Sequence, residues 1–226
     1  MKRSELNQIM RNALALIAEY KFALPPFVTW SMDEWQTKNS EYDEIKENML
    51  GWDITDYGLD DFAHIGAVLY TVRNGNIRDA SVGVPFCEKY ILLRGGQRLT
   101  NHYHVAKTED IINRAGGTLL LYLWNTDPAT GKMLGTDVNV SMDGIRHTFR
   151  PGEEIRVEPG NSITLTPYLA HIFGAAPGND LVVGEVSSIN DDNTDNYFLE
   201  KTQRFATIEE DAPMLCPLCN EYDKVP

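Results

Sequence analysis

A chain of 226 residues with 42% hydrophobic side chains can bury the core of one compact domain, which excludes disorder along its length. A formal net charge of −13 with no basic cluster excludes the phosphate-neutralising face of a nucleic-acid binder and disfavours anionic membrane surfaces. No apolar stretch reaches bilayer length, and the polar run Ser4-Glu5-Leu6-Asn7-Gln8 interrupts any leader-like segment, so a cytoplasmic protein is expected.

The elements follow in chain order. Leu6, Ile9, Met10, Ala13, Leu16, Ile17 and Tyr20 recur at helical spacing and predict an amphipathic helix over 4–22, with Ser4 as its N-cap and Pro25-Pro26 beyond its end. Ser31-Met-Asp-Glu34 reads as a capping box opening a second helix. A third spans about 41–50, with Gly51 just past its end. Residues 1–62 are therefore expected to form a helical extension, packed on a barrel that occupies 63–226. Strand-forming runs follow at 67–72, 89–94, 118–124, 137–142, 146–150, 155–157, 162–166 and 181–186. Asn74-Gly75 predicts a tight hairpin after the first of them, and Pro-Gly pairs at 151–152 and 159–160 predict turns. Many short strands between regular turns point to a sandwich or closed barrel. The segment from about 191 is polar, with Phe198, Phe205 and Ile208 as docking points.

The chemistry centres on Gly96-x5-His102-Tyr-His104-x4-Glu109-x6-Gly116. Alternate strand residues share a face, so His102 and His104 enter a barrel together, and four residues let the chain turn and present Glu109 beside them. H-x-H alone is most often a pair of surface histidines, but the full spacing with its bracketing glycines resembles the first cupin motif at every fixed position. Two imidazoles and a carboxylate form a partial shell for a divalent metal. The second cupin motif is roughly P-x-G-x2-H, and Leu165-Thr-Pro167-Tyr-Leu-Ala-His171 matches it without the glycine, which makes His171 the fourth ligand in preference to His147, expected to be exposed. His64 precedes the barrel and is expected to be structural or exposed. Three nitrogens and one oxygen suit octahedral Mn²⁺, Fe²⁺ or Co²⁺, and also Zn²⁺. The resemblance implies a double-stranded β-helix, or jelly roll, mainly β.

Lys89 and Lys107 lie near the motif. Glu185 falls in phase with Leu181 and Val183, so its carboxylate faces the barrel interior, where an acid is costly unless paired, and it is the candidate proton carrier. Asp195, within Asn190-Asp-Asp-Asn-Thr-Asp-Asn196, and Arg204 are candidate substrate-binding residues, because carboxylates and amides hydrogen-bond adjacent hydroxyls. Of the three cysteines, Cys216-x-x-Cys219 has no second pair and no activating helix start, so neither a redox nor a zinc role is assigned to it.

His102-Tyr-His104, Lys107-Thr-Glu109-Asp-Ile-Ile-Asn-Arg, Pro25-Pro-Phe, Gly51-Trp-Asp-Ile-Thr-Asp, Arg73-Asn-Gly-Asn, Glu185-Val-Ser and the 190–196 stretch together resemble the D-lyxose isomerase family over about residues 20–222. The resemblance implies a sugar ketol-isomerase interconverting D-lyxose and D-xylulose, with D-mannose and D-fructose slower, usually with manganese and often as a homodimer. An aldose and its ketose differ by a proton moved between C1 and C2. The expected mechanism is therefore chelation of O1 and O2 by the metal and proton transfer through an enediolate, with Glu185 as the base and Lys107, then Lys89, as cationic partners; a metal-assisted hydride shift, which needs no such base, is the alternative. The competing readings are a cupin dioxygenase on the same four ligands and a non-catalytic sugar-binding cupin. The richness in Asp, Asn and Lys near the late strand favours a hydroxyl-bearing ligand.

Overall fold

The computed structural model describes residues 1–225. Helix α1 (Arg3–Glu19) buries Leu6, Met10, Ala13, Leu16 and Ile17 on one stripe. Its N-cap lies two residues earlier than the predicted Ser4. Lys2 is the N-cap, while the Ser4 hydroxyl and amide both bond the Asp211 carboxylate, so this serine ties the helix to the tail. The short α2 (Met32–Trp35) opens on the capping box: the Ser31 hydroxyl accepts from the Glu34 amide, and the Glu34 carboxylate accepts from the Ser31 amide. Helix α3 (Asp43–Glu47) ends before Asn48.

The helical expectation for 1–62 gives way at Gly51. Strand β1 (Gly51–Thr55) is the edge of a large sheet, with Trp52 and Ile54 under the helices and Asp53 and Thr55 on the other face. The strands that follow are β2 (Ala67–Gly75), β3 (Gly83–Leu93), β4 (His102–Tyr103), β5 (Glu109–Gly116), β6 (Leu119–Asn125), β7 (Val138–Met142), β8 (Ile145–Phe149), β9 (Ile155–Val157), β10 (Ser162–Leu165), β11 (Leu169–Ala175), β12 (Leu181–Ser187) and β13 (Tyr197–Phe198). Asn74-Gly75 is not the predicted turn. Both residues sit inside β2, and the chain reverses over 76–82. A Cβ on Gly75 would fall 2.1 Å from the Val84 carbonyl, so this glycine serves a close backbone approach.

All pairings within the two sheets are antiparallel. The large sheet runs β1-β2-β3-β12-β5-β10-β7-β8 and the small one β13-β4-β11-β6-β9. Their facing sides enclose one core, with Ile91, Ile111, Ile163 and Val183 from one sheet and Leu121, Leu123, Val157 and Phe173 from the other. This is the mainly β, jelly-roll class. A second core lies between α1 and the outer face of β1–β3, where Trp52, Val68, Tyr70 and Leu92 meet Leu6, Met10 and Ile17. The tail returns along it: Glu209 bonds back to Met1 and Arg3, and Cys219 donates its amide to the Trp52 carbonyl at 2.7 Å. No helix among the described residues is long and apolar enough to cross a membrane.

Candidate active site

Antiparallel register assembles the polar interior. In the small sheet His171 on β11 is the direct partner of His102 on β4, so two imidazoles separated by 69 positions face the same cavity. In the large sheet Glu185 on β12 is the direct partner of Lys89 on β3, which is itself opposite Thr71 on β2. Glu109 opens β5 opposite Ser187. Glu185 shares its inward face with Leu181 and Val183, as the period-two reading expects.

His102, His104 and His171 bring one ring nitrogen each to within 4.8 Å of the others. Each Nδ1 bonds a backbone carbonyl: His102 to Thr100 at 3.0 Å, His104 to Asp195 at 2.5 Å and His171 to Leu169 at 3.0 Å. A carbonyl only accepts, so each Nδ1 carries the proton and each Nε2 keeps its lone pair. Burial holds all three imidazoles below the usual histidine range; neighbouring imidazoles add to this at His102, and the Lys107 ammonium at His104. Three neutral rings thus present acceptors to a common point. Glu109 completes the ring, with Oε1 at 3.3 Å from His171 Nε2 and Oε2 at 3.7 Å from His104 Nε2. Among the described residues, His104 Nε2, His171 Nε2 and Glu109 Oε1 are buried without a hydrogen-bond partner. Buried acceptors with no donor are costly, and one cation among them removes the cost. The donor set fits a divalent metal.

Beside this cluster runs a chain of alternating charges. Lys107 Nζ bonds Glu109 Oε2 at 2.7 Å and Glu185 Oε1 at 2.9 Å. Lys89 Nζ lies 3.9 Å from Glu185 and 3.6 Å from Asp192. Arg204 bonds Asp192 Oδ1 at 2.9 Å and also pairs with Asp53. Burial alone would raise Glu109 and Asp192 and lower both lysines. The partner charges outweigh it, holding Glu109 and Asp192 below the usual carboxylate range and both ammoniums above theirs. The cavity these groups line is closed by Tyr57, Phe173 and Phe198.

A family model described as D-lyxose isomerase matches residues 1–222. The chain belongs to the D-lyxose isomerase family. It is 40% identical to the D-lyxose/D-mannose isomerase of Escherichia coli O157:H7 and 42% identical to that of Serratia proteamaculans, in each case over 98% of both chains. The L-ribose isomerase of Acinetobacter sp. DL28 superposes with a TM-score of 0.63 over 92% of this chain and 98% of its own, at 15% identity, a likeness of fold. An L-ribose isomerase of Cellulomonas parahominis gives 0.60 with the same coverage. As a member of the D-lyxose isomerase family, the chain is an enzyme, an aldose–ketose isomerase.

Within this D-lyxose isomerase family member, the expected metal residues His102, His104, Glu109 and His171 converge, and Lys89, Lys107, Glu185 and Arg204 line the adjoining cavity. Asp195 does not line it. Its carboxylate accepts from the backbone amides of Val105, Ala106 and Lys107, and its carbonyl orients His104, so it shapes the turn between the second imidazole and Glu109. The acid of this stretch that lines the cavity, with Glu109 and Glu185, is Asp192, three residues earlier, and Asp53 lies behind Arg204. The sequence marks the 190–196 stretch but singles out Asp195 within it rather than Asp192, and it does not single out Asp53. The alternation Trp52-Asp53-Ile54-Thr55 carried the signal for Asp53, masked by the preceding helix. His147 is exposed on β8, and His64 is exposed and paired with Asp61. Cys216 and Cys219 are buried free thiols, and burial pushes Cys216 up to about 11, far from a reactive thiolate.

Proposed function

We propose that this enzyme interconverts D-lyxose and D-xylulose, and more slowly D-mannose and D-fructose, as a cytoplasmic homodimer using one divalent ion per chain, Mn²⁺ foremost. The observation that carries the reading is the ring of unpartnered acceptors, His104 Nε2, His171 Nε2 and Glu109 Oε1, beside the Lys107–Glu185 pair. An ion held by His102, His104, His171 and Glu109 would supply positive charge to two adjacent sugar oxygens as the C–H bond breaks.

The rest is the work of side chains. Glu185 takes the proton from one carbon of the C1–C2 pair and returns it to the other, so one carboxylate serves both half-reactions. Lys107, 2.9 Å from Glu185, holds that carboxylate in one orientation and offers a donor to the oxygen that gains charge. Lys89 backs the same carboxylate from β3. Arg204 and Asp192 present a donor and an acceptor for hydroxyls farther along the sugar, and Arg204 Nη1 is a buried donor without a partner among the described residues. Asp195 is a positioning residue for His104 and Lys107.

The test uses two variants of the purified enzyme with D-lyxose in D₂O. Glu109→Ala is expected to lose metal and ketose formation together. Glu185→Gln is expected to keep its metal while turnover falls about 10²–10⁴-fold, the usual weight of a general base. Normal turnover by the glutamine variant, with no deuterium entering the sugar, would point to a hydride shift and remove the base from Glu185.

A further inference from the structure

Behind Asp192 lies a second cavity, of about 280 Å³, between the end of α3, the 76–78 turn and the 190–193 segment. The catalytic cavity on the near side has about 30 Å³ of free space, room for about one or two waters rather than a sugar. Asp192 lines both. Lys89, Arg204 and Asn196 all meet its carboxylate at Oδ1, and among the described residues none donates to Oδ2.

The outer cavity is lined by amides: Asn48, Asn74, Asn76, Asn190 and Asn193. Some are committed to holding the walls. Asn74 accepts from the Asn190 amide and donates to the Asn190 carbonyl at 3.0 Å, and Asn190 Oδ1 accepts from Lys107 Nζ at 3.3 Å, so this wall reaches the catalytic lysine. Asn48 is different. It is only 3% exposed, and its buried Oδ1 has no partner among the described residues. An unsatisfied amide oxygen in a wall of amides suits a ligand that brings several hydroxyl donors. Among the described lining residues, Glu47, Asp191 and Asp192 outnumber the cation Arg78, which disfavours an anionic ligand.

We propose that this outer cavity is a second binding site, for a neutral monosaccharide in its ring form, separated from the catalytic side by Asp192. The choice of a sugar as occupant agrees with the isomerase reading above, but the binding site does not rest on it. The cavity's size is at the small end of ligand sites, which suits a single sugar ring. Its donors and acceptors read hydroxyls without needing a carbonyl.

The probe is 1,5-anhydro-D-mannitol, a ring polyol with no anomeric oxygen, which cannot open. Its binding to the metal-replete enzyme is measured by calorimetric titration. Asn48→Leu is expected to weaken binding about tenfold, the weight of one buried hydrogen bond and the space filled. Arg78→Ala, on the exposed rim, is expected to weaken it severalfold, and it keeps the test open should the leucine variant fold poorly. Glu185→Gln is expected to leave binding within twofold. No saturable binding, or binding that weakens with Glu185→Gln and holds with Asn48→Leu and Arg78→Ala, overturns the proposal. D-lyxose turnover by the same wild-type batch reports separately on the isomerase reading, so the two can fail independently.

Discussion

Each of the three converging imidazoles has its tautomer fixed by a carbonyl on the far side of the ring, and this has a consequence for stability. A histidine free in the unfolded chain is protonated below its ordinary value of 6.5, whereas burial keeps His102, His104 and His171 neutral in the fold. The unfolded state therefore binds more protons below 6.5, and folding stability must fall as pH drops through that window. Glu109, held low mainly by Lys107 against its burial, adds a second loss that begins only below the ordinary carboxylate value of 4.5. Urea unfolding of the chelator-treated protein is expected to show a stability plateau above pH 6.5 and a decline below it. His102→Gln is expected to flatten that decline. An unchanged slope in the variant would mean that His102 titrates normally in the fold. At this scale the spacing from His102 to Glu109 was legible because the three side chains sit within eight residues, on a two-residue strand, just past its end, and at the start of the next strand. Asp192 and Asp195 were not distinguishable in sequence, because in a turn-rich stretch of acids and amides the backbone turns alone decide which carboxylate faces the cavity and which meets the 105–107 amides.

Among the elements, the pairing of β5 with β12 sets Glu109 and Glu185 on neighbouring strands, and its far end depends on Gly116. That glycine has φ +99°, and a Cβ there would fall 2.1 Å from the Asp180 carbonyl. Gly116→Ala is expected to cost at least about 1–3 kcal/mol from backbone strain alone, with the steric clash in addition, read as a lower urea midpoint at constant m. A midpoint equal to wild type would show that the strand end relaxes freely. The glycine was visible in the motif, but its reason is the approach of a strand that lies 65 positions later. Strands of strong alternation, such as β6 and β12, were legible from local pattern. Strand β1 was not: it is five residues long, follows a helix directly, and its strand character comes from pairing with β2 and from Trp52 packing under α1. The Asn74-Gly75 pair misled for a related reason, since its turn chemistry serves a close contact within a longer hairpin.

The whole molecule is closed by its termini. Arg3, fully buried, bonds Glu221, which is itself buried, as well as Glu210, and so fixes the tail against the first helix and β1. Arg3→Ala leaves the Glu221 carboxylate buried with Lys224 as its remaining cation, a change expected to cost about 3–5 kcal/mol in urea unfolding. A loss under 1 kcal/mol would mean that water or Lys224 replaces the guanidinium. This long-range clamp left no trace in composition or periodicity, whereas a mainly β sandwich or barrel did, because many short strands between turns admit few architectures; the jelly roll within that class was implied by the resemblance of the His102–Glu109 motif to cupins. What the barrel accomplishes is to bring three imidazoles and two carboxylates, from β4 and the residue just past it, β5, β11 and β12, to one point. The most direct test is to strip the purified enzyme with chelator, add Mn²⁺ in steps and follow D-xylulose formation from D-lyxose. Activity is expected to be absent at first, to rise linearly and to stop rising at one ion per chain. Full activity in the stripped enzyme, or none after Mn²⁺, Co²⁺, Fe²⁺ and Zn²⁺ have each been restored, would contradict the account.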